Sequence, residues 1–144
     1  MKVKLLNVNE KERSFAVVLD PGEEATASLL KFAREHNVHA AQISAIGAFS
    51  RAVLGFFEFD RRDYRRIVLD EQLELVSLLG NLATDGKDVK LHCHAVVANR
   101  EGRAFGGHLL EGIVKPTLEA VAIDTPAHLR RRFDPATGLA LLVP

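Results

Sequence analysis

At 144 residues the chain is long enough for one ordinary domain, and 47% hydrophobic with 26% charged residues is neither a disordered nor a membrane-like composition. Nineteen Lys and Arg balance nineteen Asp and Glu, which excludes a global field drawing the chain to nucleic acid or an anionic membrane, so any such binding has to be local. Cys93 is the single cysteine, which excludes an intrachain disulfide and every multi-cysteine zinc finger; with no apolar leader and no run near ~20 apolar residues, a cytoplasmic, non-anchored protein with no membrane partner is predicted.

In chain order, Ser14–Leu19 reads as a strand. Asp20-Pro21-Gly22-Glu23-Glu24 then supplies a cap, a first-turn proline and acids suited to a helix N-terminus. Leu29, Leu30, Phe32 and Ala33 share one face of a helix predicted from about Glu23 to Glu35, with Asn37 as its stop. From Val38 the texture changes to short runs of strand formers, 41–46 and 52–59, separated by Gly47 and Ser50-Arg51. Tyr64–Leu69 predicts another strand, and Leu73–Leu82 a further one for which a helix is the competing reading.

Val89–Ala98, the turn Asn99-Arg100-Glu101-Gly102 and the return 104–113 have the form of a hairpin. Thr117–Ile123 predicts a strand ended by Pro126. Ala127–Phe133 is a short helix or turn, and Gly138–Val143 a closing strand. No repeat, low-complexity tract or linker divides residues 1–144, so a single α+β domain with a mostly antiparallel sheet is expected.

Within this hairpin lie His92 and His94 of Leu91-His92-Cys93-His94-Ala95, and His108 of Phe105-Gly106-Gly107-His108-Leu109. Side chains alternate along a strand, so His-x-His points two imidazoles one way and a third can arrive from the next strand. Such a set suits zinc or another borderline divalent metal and leaves a fourth position open, the arrangement of catalytic more than structural zinc sites. The competing reading makes the three histidines solvated or hydrogen-bonded positions on a sheet face. Gly106-Gly107 marks a close backbone approach or a plain bulge. Cys93 should point opposite its neighbours, into packing.

Glu119, and less so Glu111, are the carboxylates nearest in sequence that could orient an imidazole or act as acid or base on bound water; surface charge is the competing role. Arg61-Arg62 with Arg65-Arg66, and Arg130-Arg131-Arg132, are the only clusters able to meet phosphates, against a bland reading as solvated turns or salt bridges. His36, His39 and His128 stand alone.

Taken in order, Leu29-Leu30-Lys31-Phe32-Ala33, Ile46-Gly47-Ala48-Phe49, Gly80-Asn81-Leu82-Ala83, His92-Cys93-His94-Ala95, Phe105-Gly106-Gly107-His108-Leu109 and Pro116-Thr117-Leu118-Glu119 resemble the PPC (plants and prokaryotes conserved) domain family from about Ser14 to Asp124. The resemblance implies a compact α+β fold with an antiparallel sheet flanked by helices, assembly as a homotrimer, prokaryotic members consisting of little else, and a divalent metal, with zinc the first choice, at His92, His94 and His108. In plants the domain follows an AT-hook that reads the minor groove. This chain has no such segment; its nearest string, Glu101-Gly102-Arg103-Ala104, lacks the flanking basic residues and proline.

Three functions follow as expectations. The first is a metal-binding homotrimer with a binding or regulatory role. The second is a small metalloenzyme whose open coordination position activates water or polarises a small-molecule ligand, assisted by Glu119. The third is DNA association through the arginine clusters of an assembled trimer.

Overall fold

The computed structural model describes residues 1–125 and 129–143. Its elements are β1 (Lys2–Val8), β2 (Arg13–Leu19), α1 (Ala25–Glu35), β3 (Ala41–Glu58), β4 (Asp63–Leu69), β5 (Leu73–Asp85), β6 (Asp88–Ala98), β7 (Ala104–Asp124), β8 (Arg130–Asp134) and β9 (Leu139–Val143). The strands form one sheet in the order β1-β2-β7-β3-β5-β8-β9, with β4 on β3 and β6 spanning β5 and β7. Pairing is antiparallel throughout except where Thr84 of β5 meets Arg130 of β8 in parallel.

The sheet is flanked by one helix rather than several among the described residues, because only the segment ending at Glu35 repeats its apolar positions with helical period. The runs 41–46 and 52–59 are one strand, β3, and 104–113 with 117–123 are one strand, β7. Gly47 and Ser50-Arg51 mark register shifts between these two long strands instead of breaks. Gly47 lies at φ 150°, and a Cβ there would stand 2.3 Å from the Thr117 carbonyl oxygen, so the bend requires glycine. The Leu73–Leu82 helix alternative falls, since β3 and β6 cover both edges of β5. Strand β1 has no counterpart in the sequence reading; it is a lysine-bearing edge whose side chains are mostly exposed, so it lacks alternating burial to betray it. Arg130–Phe133 pairs with β9 as a strand, not a helix or turn, while Pro126, Ala127 and His128 lie outside the described residues.

Helix α1 is capped by Glu24 rather than Asp20. Its carboxylate accepts hydrogen bonds from the backbone N–H groups of Thr26 (3.1 Å) and Ala27 (2.7 Å) and from that of Gly112 in β7 (3.1 Å). The longer glutamate side chain thus fixes the helix start and ties it to the sheet. Leu29, Phe32 and Ala33 bury the inner helix face against Phe15, Val17 and Leu19 of β2 and the inward residues of β3, β5, β6 and β7. Phe32 is fully buried, edge-on to Phe15 with ring centroids 5.3 Å apart. The opposite sheet face carries no helix and leaves Ile46, Val76, Leu79, Val96 and Val121 exposed. No described helix is long and apolar enough to cross a membrane.

Candidate metal centre

The three histidines converge through strand pairing. Along β6 the core takes Cys93, Ala95 and Val97, which turns His92 and His94 to the other face. His94 and His108 are direct cross-strand partners between β6 and β7. Their candidate ligand atoms, with that of His92, all lie within 4.8 Å of one another. The Nε2 atoms of His92 and His94 stand 3.2 Å apart. Two nitrogens each about 2.05 Å from one tetrahedral zinc are separated by about 3.3 Å, so this spacing fits a shared ion. A hydrogen bond between two neutral rings has the same length, and metal binding would displace its proton.

Burial favours the neutral, ligating form of two of these rings. Loss of solvent, followed by the fields of Arg131 and His94, lowers the His92 pKa. Loss of solvent, then His92, His94 and Arg131, pushes His108 down to about 4. The Nδ1 of His108 is buried and has no hydrogen-bond partner. A bare buried nitrogen of this kind carries an unmet desolvation cost that a cation or donor would offset.

The surroundings come from elements the sequence reading did not connect with the histidines. Tyr64 of β4 stacks on His108, ring centroids 4.7 Å apart at 27°. The stack depends on Gly55, opposite His108 on β3, because a Cβ there would lie 2.7 Å from the Tyr64 ring. Gly107 is needed for close approach, since a Cβ would stand 2.8 Å from the Gly55 carbonyl oxygen, whereas Gly106 has ordinary room. Asn81 of β5 is the cross-strand partner of His92, and its side-chain oxygen accepts from Nη2 of Arg131. Arg131 arrives on β8, the strand that the sequence reading gave to a helix or turn. A cavity of about 470 Å³ opens here, bounded by Tyr64, His92, His108, Asn81, Arg131 and the leucines of β9. No local sequence signal links Tyr64 to His108, because the contact exists only through the β3–β4 and β3–β7 pairings.

The other sequence candidates sit elsewhere. Glu119 is exposed opposite Ile46, in the other half of β7, where it lines a separate hollow with Glu74 and Thr117. Glu111 forms an ion pair with Arg51. Cys93 is buried in the core, as the alternation predicts, and burial pushes its thiol up to about 12. His36 packs against Phe15 and Phe32, and His39 lines a shallow hollow beside Arg13 and Asp124. Arg61 and Arg65 reach toward Glu58 at 3.4 and 3.9 Å, and Arg65 also lies over the Phe56 ring. These exposed pairs each contribute little to stability.

Residues 7–126 match the family model of the Plants and Prokaryotes Conserved (PCC) domain. The chain is 36% identical over 129 residues to the bifunctional protein GlmU of Synechococcus sp. (strain JA-3-3Ab), covering 88% of this chain and 20% of that protein. It thus spans about a fifth of the length of the curated relatives it matches. Among solved structures, a metal-containing protein from Archaeoglobus fulgidus superposes with a TM-score of 0.84 at 30% identity, over 99% of this chain and 97% of that one. A candidate DNA-binding protein from Bacteroides thetaiotaomicron superposes with a TM-score of 0.89 at 26% identity, over 98% and 96% of the two chains.

Proposed function

The chain belongs to the Plants and Prokaryotes Conserved domain family, and on that footing we propose that it is a homotrimeric, cytoplasmic, divalent-metal-binding protein with a binding or regulatory role, holding zinc through His92, His94 and His108. The observation that carries the metal reading is the cluster itself: three imidazoles from two paired strands, two of them with nitrogens 3.2 Å apart. The metal-containing relative from Archaeoglobus fulgidus supports it. Zinc there would supply a Lewis acid with a free coordination position. The test is metal analysis of protein purified without a histidine tag. About one ion per chain is expected of a single three-histidine site, and less than ~0.1 in both native and zinc-reconstituted samples sinks the reading.

Trimer assembly is supported by the helix-free sheet face, where Leu79, beside His94, is 59% exposed and Ile46 is 60% exposed. Closed cyclic symmetry covers such a face without leaving a growing edge. Sedimentation equilibrium reads the mass directly, and a monomer at micromolar concentration refutes it.

A second reading, the metalloenzyme, is favoured by the cavity that opens against His92 and His108. Glu119 lines a different hollow, so an acid or base would come from the cavity wall, where Tyr64 and Asp85 are the candidates. DNA association is supported by the similarity to the candidate DNA-binding protein from Bacteroides thetaiotaomicron and by the exposed arginines of β4. A duplex-binding salt titration decides it: affinity no better than that of a neutral control protein at low salt removes it.

A further inference from the structure

The cavity beside the histidines is lined by His92 and His108 and by Arg131 on β8, whose charge also acts on both imidazoles. A guanidinium carries five N–H donors. Arg131 donates through Nη1 to the Ala140 carbonyl (3.1 Å) and through Nη2 to Asn81, while its buried Nε has no acceptor. No carboxylate among the described residues lies within ion-pair distance of it. A partly buried cation bonded to a carbonyl and an amide oxygen, with Asp85 acting on it only from beyond ion-pair distance, is incompletely compensated for the water it has lost.

The charges facing the cavity are Lys90 and Arg131 against Asp85, an excess of one positive charge with the imidazoles neutral. Its remaining wall is aliphatic, formed by Leu91, Leu139, Leu141 and Leu142. The volume of about 470 Å³ falls within the range of small-molecule sites, about 300–1,000 Å³. Inorganic anions use the charge but leave the leucine wall unmatched, whereas a carboxylate with an apolar chain uses both.

We propose that this cavity binds a small monocarboxylate with an aliphatic chain, its carboxylate anchored by Arg131 and its chain lying on the leucines of β9. The planar guanidinium fork matches carboxylate geometry, with donors left over from its two internal bonds. This carboxylate site is formed by Arg131 and the leucines of β9 and stands independently of the metal reading.

Calorimetric titration with hexanoate, 1-hexanol and inorganic phosphate tests the site, with zinc content measured on each sample. Zinc-loaded wild type is expected to bind hexanoate at least about tenfold more tightly than hexanol or phosphate. Arg131→Met should weaken hexanoate at least about tenfold at unchanged zinc content, and Arg131→Lys should recover part of the loss, since it restores charge without the fork. Equal binding of hexanol or phosphate, or an Arg131→Met protein that binds hexanoate as wild type does, overturns the proposal. If circular dichroism shows that Arg131→Met does not fold, chelator-stripped wild type decides alone: a hexanoate-to-hexanol preference below about tenfold overturns the proposal. Arg131-dependent hexanoate binding in protein that holds no zinc under any condition supports the carboxylate site while removing the metal reading.

Discussion

Protonation of His108 offers a direct measure of how the sheet treats the triad. Its ring titrates at about 4 in the folded chain against an ordinary 6.5, chiefly because it has lost solvent beside Tyr64 and the other two histidines. Above about 6.5 the ring is neutral in both folded and unfolded states and has no effect on the pH dependence. As pH falls from there toward about 4, the unfolded chain takes up a proton that the folded chain refuses, so stability falls; below about 4 both forms are protonated and the loss levels off. At 1.36 kcal/mol per pH unit the ceiling is about 3.4 kcal/mol. The ring is only partly buried, and solvent screening reduces this to roughly 1–2 kcal/mol. Equilibrium urea unfolding of chelator-stripped protein, followed by circular dichroism at fixed concentration across this window, reads the loss. His108→Gln removes the titrating group, so the variant should lose roughly 1–2 kcal/mol less than wild type between about pH 7 and about pH 4.5. The comparison uses slopes, so the separate cost of losing the Tyr64 stack cancels. Wild-type and variant profiles that run parallel would refute the assignment of a neutral, desolvated ring at this position.

Other outcomes follow from the same geometry. His94→Ala should cut bound zinc by at least about tenfold in metal analysis while thermal melting of the stripped protein changes little, since the ring is exposed. Glu24→Ala removes the helix cap and the acceptor for the Gly112 N–H, and urea midpoints should show a loss of about 2–4 kcal/mol, whereas Glu24→Gln, which keeps an acceptor oxygen, should lose much less. Cys93 should resist a thiol reagent at about pH 8 in the native protein and react on unfolding, because the thiol is buried with its pKa pushed up to about 12; rapid native labelling would contradict the strand alternation. Leu79→Arg should lower the sedimenting mass if the helix-free face joins the subunits, and an unchanged mass would place the interface elsewhere.

The elements differ in how openly the sequence announces them. Helix α1 was legible because Leu29, Phe32 and Ala33 repeat with helical period, yet its cap was misplaced. Glu24 is the residue directly before the helix and accepts from the Thr26 and Ala27 N–H groups, whereas Asp20 is engaged by the Met1 amine and Lys2; the added tie from Glu24 to Gly112 lies far along the chain. The sequence pattern divides β3 at Gly47 and Ser50-Arg51, which look like breaks locally, and divides β7 between Ile113 and Thr117. In the fold they are places where two long paired strands shift register and keep going. The hairpin of β6 and β7 was legible through its turn, and with it the common face of His92 and His94.

The sequence by itself determined what is local: which way alternate side chains point along a strand, that Cys93 opposes its neighbouring histidines, and that the ordered motifs are those of the Plants and Prokaryotes Conserved family. Tertiary structure alone decided what surrounds the histidines. Tyr64 reaches His108 because β3 holds Gly55 between them, and Arg131 reaches Asn81 because β8 docks beside β5 at Thr84. Those neighbours are fixed by register between strands distant in the chain. A periodic pattern specifies the face a residue occupies, but not which strand lies beside it or at what offset.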